Sequence, residues 1–127
     1  MSINVSRIFI ILSVLILASC SETLNIQLDP EVTVFLSKDS EKTIRLTPKD
    51  KEYTILNEWL NESRSDWNST SGRYPSGVYV QSGNYGIQVT KRHVILYDTN
   101  RPDPKAIYIQ KIGKDELSVI KNIGLSR

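Results

Sequence analysis

Between Val78 and Ile112 the chain alternates short runs of β-forming residues with turn signals. This spacing constrains the fold more than any other feature. Val78 to Gln81 and Tyr85 to Thr90 flank Ser82-Gly83-Asn84, a hairpin signal. His93 to Tyr97 follows across the short turn at Lys91-Arg92. Asp98 to Pro104 carries Asn, Asp and two prolines and breaks the pattern, and Ala106 to Ile112 reads as a further strand. Strands at hairpin spacing pair mostly antiparallel, which places the chain in the α+β class.

Upstream, Leu24, Ile26 and Leu28 alternate with Asn25 and Gln27, a half-buried strand pattern that Asp29-Pro30 ends. Val32 to Leu36 reads as a second strand, Ser37 to Lys42 as a charged turn, and Thr43 to Thr47 as a third strand. Thr47-Pro48-Lys49-Asp50 has the chemistry of a helix start: a capping hydroxyl, a proline for the first helical position and an acid near the positive end. The helix would run to Asn61 or Glu62, with Tyr53, Leu56 and Leu60 forming a core-facing stripe flanked by Ile55 and Trp59. Ser63 to Gly77 is polar and irregular, a loop of a length that often carries function. Gly113 to Gly124 reads as a final helix with Leu117, Ile120 and Ile123 apolar. The expected order is βββ-α-ββββ-α: one mostly antiparallel twisted sheet with the two helices packed on one face.

A chain of 127 residues suits one domain. Its 39% apolar and 24% charged residues fit a globular composition. A net charge of +2 disfavours a strong nucleic-acid binder. One cysteine excludes an intramolecular disulfide and a multi-cysteine zinc site, and one histidine leaves little room for a transition metal. No metal and no cofactor is expected.

The N-terminus differs from the rest. A short polar start with Arg7 precedes Ile8 to Ala18, apolar except for Ser13. This describes a secretory signal peptide; the run is about half of the roughly 20 apolar residues a spanning helix needs. It ends in Leu17-Ala18-Ser19-Cys20, which resembles the lipobox of bacterial lipoproteins. The resemblance covers the first 20 residues, and the chain's one cysteine falls at the required place. It implies lipid transfer to the Cys20 thiol, removal of residues 1–19 and acylation of the new amino group. Two or more acyl chains anchor a protein stably. By the same resemblance, Ser21 in place of Asp points to the periplasmic face of the outer membrane. The expected organisation is a cleaved signal at 1–19, a lipidated tether at 20–23 and one globular domain at 24–127.

The search for catalytic groups yields little. His93 and Asp98 could complete a triad with a loop serine, but no G-x-S-x-G elbow is present. Glu58 and Glu62 lie one helical turn apart on a solvated face. Two other features stand out. Residues 20–66 hold six Lys/Arg against ten Asp/Glu, whereas residues 67–127 hold nine against four; the simpler expectation is two solvated faces that cancel on folding. The loop and the first hairpin carry Trp67, Arg73, Tyr74, Tyr79 and Tyr85, residue types enriched at binding hot spots. Trp67, Arg73 and Tyr74 are the candidate partner contacts, with core filling as the alternative for Trp67 and the favoured role for Tyr79.

The functional expectation is a non-enzymatic binding module, anchored to the membrane through its N-terminal lipid, with an envelope protein as partner and no nucleic acid. A periplasmic inhibitor or immunity protein is its concrete version. An assembly or chaperone-like lipoprotein is the alternative, and an envelope hydrolase a weaker one.

Overall fold

Seven strands pair side by side, and each pairing is antiparallel. The computed structural model describes residues 21–36 and 39–125; Cys20 and the segment before it lie outside these. The elements are β1 (Val32–Leu36), β2 (Asp39–Leu46), α1 (Lys51–Glu62), β3 (Asn68–Ser69), β4 (Val78–Ser82), β5 (Tyr85–Val89), β6 (His93–Asp98), β7 (Lys105–Lys111) and α2 (Ser118–Lys121), then a 3-10 turn at Ile123–Leu125. The spatial order is β2-β1-β4-β5-β6-β7-β3. The class is α+β, a single antiparallel sheet carrying two helices.

Strand alternation sorts the side chains onto two faces. Val34 pairs with Ile44 and Val80, Val80 with Ile87, Ile87 with Leu96, and Leu96 with Tyr108. This apolar face packs against Tyr53, Leu56, Trp59 and Leu60 of α1 and against Leu117, Ile120 and Ile123 near α2, so both helices cover the same side. The opposite face carries the row Phe35, Tyr79, Gln88, Ile95 and Ile109, and beside it Thr33, Gln81, Gly86, Tyr97 and Ala106.

The chain wraps this sheet. From the β2 edge it crosses the apolar face as α1 and reaches the far edge, where β3 pairs with β7. It then returns beneath the opposite face to enter β4, beside β1. Residues 70–77 form this returning strap.

Three local expectations are corrected. Leu24–Leu28 is extended but is no strand. Ile26 and Leu28 are buried as the alternation predicts. Their neighbours, though, are helix and loop rather than a free strand edge. The Leu28 N–H donates to Asn57 Oδ1 at 3.0 Å, Tyr53 Oη donates to the Leu28 and Asp29 carbonyls, and the Leu24 N–H donates to the Arg64 carbonyl. The first helix starts at Lys51, not at Pro48. Thr47–Asp50 closes as a turn, the Asp50 N–H donating to the Thr47 carbonyl while Asp50 Oδ2 accepts from the Thr47 N–H. The last helix shrinks to Ser118–Lys121. Leu117 just before it is left-handed, at φ 58°, and Glu116 Oε1 holds the Gly113 N–H, so residues 113–117 turn instead of coiling.

The domain also starts earlier than residue 24. Glu22 and Trp67 exchange backbone hydrogen bonds of 2.7 and 3.3 Å, and Tyr108 Oη donates to Glu22 Oε2. The segment expected as a tether is therefore docked from Glu22 onward.

Candidate functional site

The strap is held on the sheet by buried polar groups. Gln88, on β5 and 7% exposed, donates from Nε2 to the Tyr74 carbonyl at 2.8 Å and to the Ser76 carbonyl. Its Oε1 accepts from Tyr97 Oη at 2.6 Å, and that hydroxyl accepts from the Tyr74 N–H at 3.2 Å. One amide and one phenol thus fix the strap backbone at Tyr74 and Ser76. The Ala106 N–H donates to the Gly72 carbonyl and the Thr70 N–H to the Ile107 carbonyl, closing the strap onto β7. At its end Gly77 adopts φ 90°, and a Cβ there would lie 2.4 Å from the Val89 carbonyl oxygen. A side chain at that position would prise the strap off β5.

Tyr79 and Tyr97 form the aromatic floor beside the strap, ring centroids 5.9 Å apart, with Phe35 6.0 Å from Tyr79. Gly86 makes room for the Tyr79 ring, which occupies the space a Cβ would need. Burial pushes the Tyr79 phenol above its ordinary value, and the neighbouring Tyr97 adds to this. Burial also raises Tyr97, partly offset by its bond to the Tyr74 backbone. Both phenols therefore stay protonated donors at neutral pH.

Two cavities flank the strap, and Tyr74 lines both. One, of about 290 Å³, lies among Arg73, Tyr74, Tyr79, Gln88, Tyr97 and Pro104. The other, of about 500 Å³, opens between Tyr74–Gly77 and the β5–β6 turn at Thr90–His93.

Of the three expected contact residues, the structure brings two together. Arg73 is exposed and ion-paired with Asp103. Tyr74 is half-buried, its hydroxyl bonded to Thr70 Oγ1. Trp67 is not a surface contact: it is 1% exposed and meets Trp59 edge-on at 5.9 Å and 86°. Its indole fills the core where α1 meets the start of the chain. Tyr85 is exposed at the hairpin, away from the strap. The residues that sequence reasoning missed are Gln88 and Gln81, whose Oε1 accepts from Tyr79 Oη at 3.0 Å. No local signal marks them, since Gln alternating with the core-facing Val80, Ile87 and Val89 reads as solvent-facing.

His93 and Asp98 occupy opposite ends of β6, about 17 Å apart at strand rise. They also point to opposite faces, so no proton relay joins them. Among the described residues no three of His, Cys, Asp and Glu cluster as a metal site, and no helix is long and apolar enough to cross a membrane.

These features define a strapped antiparallel α+β domain. Compared with known proteins, the chain matches no family model, no curated sequence and no solved structure.

Proposed function

We propose that this chain is a membrane-anchored envelope lipoprotein and a non-enzymatic binding module, engaging a protein partner through the strap as a periplasmic inhibitor or immunity protein does. The observation that carries the reading is the fixed strap: Gln88 and Tyr97 hold its backbone while the Arg73 side chain stands 69% exposed. A loop already held in one shape loses little entropy on binding. Arginine and tyrosine are hot-spot residue types.

Anchoring rests on Leu17-Ala18-Ser19-Cys20. Glu22 is docked two residues after Cys20, so a lipid on that thiol would hold the domain within about 7 Å of chain from the bilayer. The outer β2 edge supports the assembly-lipoprotein alternative, because it ends the sheet and an extended segment can pair there.

The test is capture from envelope extracts of the source cells, with wild type beside Arg73→Glu, Tyr74→Ala and Cys20→Ala. The expected result is a partner whose affinity falls about tenfold or more with either strap variant. Intact mass should show lipid on wild type and none on Cys20→Ala. A partner retained equally by both strap variants would overturn the strap reading. Unprocessed wild type in a lipoprotein-competent host would overturn the anchor.

A further inference from the structure

The charge asymmetry of the sequence has a location. At the start of β6, Lys91 and Arg92 form the turn, and His93 pairs across the sheet with Lys111. Lys121 of α2 reaches the same place. Its Nζ donates to the Lys91, Gly113 and Lys114 carbonyls at 2.8, 3.1 and 3.0 Å. Basic residues of the second half therefore gather there, with Asp115 and Glu116 as the acidic neighbours of Lys121.

Lys91, Arg92, His93 and Lys121 all line the larger cavity, together with Tyr74, Pro75, Val89 and Ile95, and no carboxylate is among the lining residues. Lys91 and Arg92 are exposed and belong to none of the ion pairs among the described residues. Lys121 is pinned: its three donors are committed to carbonyls, so it contributes a fixed positive field and no free hydrogen bond. Burial lowers its pKa; Asp115 and Glu116 act against this, while Arg92 adds to the lowering. Arg92 and Lys121 thus repel each other across the cavity rim. A bound anion would relieve that repulsion.

The walls complete the description. Tyr74 and Pro75 give the cavity its accessible apolar surface, with Ile95 buried beneath it. Its volume of about 500 Å³ falls in the range of small-molecule sites and exceeds what a bare oxyanion fills. We propose that this cleft binds a phosphate group carried on an apolar body, with Lys91 and Arg92 holding the phosphate oxygens, Lys121 supplying field and Tyr74 and Pro75 contacting the body. Several convergent cations match a dianion with several acceptor oxygens better than a single carboxylate. A soluble phosphomonoester and a lipid headgroup share this chemistry. The proposal does not depend on the strap's protein partner.

Calorimetric titration of the full-length chain in non-ionic detergent tests it, with phenyl phosphate as probe. The comparisons are inorganic phosphate, which lacks the body, and benzyl alcohol, which lacks the charge. Phenyl phosphate is expected to bind best. The Lys91→Gln/Arg92→Gln variant should weaken it about tenfold or more. Lys49→Gln/Lys51→Gln removes the same charge outside the cleft and should change affinity less than about twofold. Competition with short-chain phosphatidic acid assigns the source: tighter lipid binding points to a headgroup, tighter phenyl phosphate to a soluble ester. Absence of binding, equal losses in both double variants, or binding of an acidic peptide in place of phenyl phosphate would overturn the proposal.

Discussion

Trp67 shows how far residue type alone can mislead. A tryptophan in a long polar loop reads equally as a recognition residue and as core. Its neighbours decide, and they come from distant sequence: Glu22 on its backbone and Trp59 on its ring. Trp67→Ala would leave a large void between α1 and the chain start, at a cost of about 3–5 kcal/mol. Arg73→Ala removes an exposed ion pair, worth about 0–1 kcal/mol. Urea denaturation of the two variants should separate them clearly, and near-equal midpoints would contradict the placement of Trp67. Gln110 is a smaller case of the same kind. Its Oε1 is buried without a partner among the described residues, although β alternation marks Gln110 as an ordinary strand polar residue.

At the scale of elements, local chemistry predicted what local chemistry controls. The four strands from Val78 to Lys111 were legible within one or two residues, because alternation and turn residues both lie in the strand and its immediate turn. So was the stripe of α1, since Tyr53, Leu56 and Leu60 are all buried. The misreading of the first segment has a non-local cause. Leu24–Leu28 has the strand pattern, but its hydrogen-bond partners belong to α1 and the following loop, and pairing is not written in a single segment. The strap was legible as a loop, while its anchoring was not, because the anchor is a glutamine on another strand. Gln88→Leu tests that anchor. It removes one acceptor and two donor contacts, leaving the Tyr97 hydroxyl and two strap carbonyls short of partners. The expected cost is about 1–3 kcal/mol. Hydrogen exchange should quicken at residues 72–77 while α1 keeps its protection, and unchanged exchange in the strap would show that β7 alone holds it.

The whole molecule carries a titration built from its aromatic rows. Burial raises the phenols of Tyr53, Tyr79 and Tyr97 above the ordinary value of 10.0, and the Glu22 carboxylate, through its hydrogen bond, does the same for Tyr108. The unfolded chain releases these protons first, so above pH 10 the folded state holds more protons and stability falls as pH rises. Lys121 works in the opposite sense. Its pKa is lowered from 10.5, so folding gains as pH climbs toward that value. Four raised phenols act against this one amine, and the fall they cause is the expected net change. Between about pH 9 and pH 11 the denaturation midpoint should fall, in step with phenolate absorbance. Tyr79→Phe combined with Tyr97→Phe should flatten that fall, and a slope unchanged by the pair would mean that other groups set the alkaline limit. Below pH 10 the same phenols are intact donors. Tyr97 then holds Gln88, and Gln88 holds the strap between the aromatic floor and the cationic cleft. The Tyr97 proton thus belongs both to the expected alkaline loss of stability and to the fixed geometry of the strap at neutral pH.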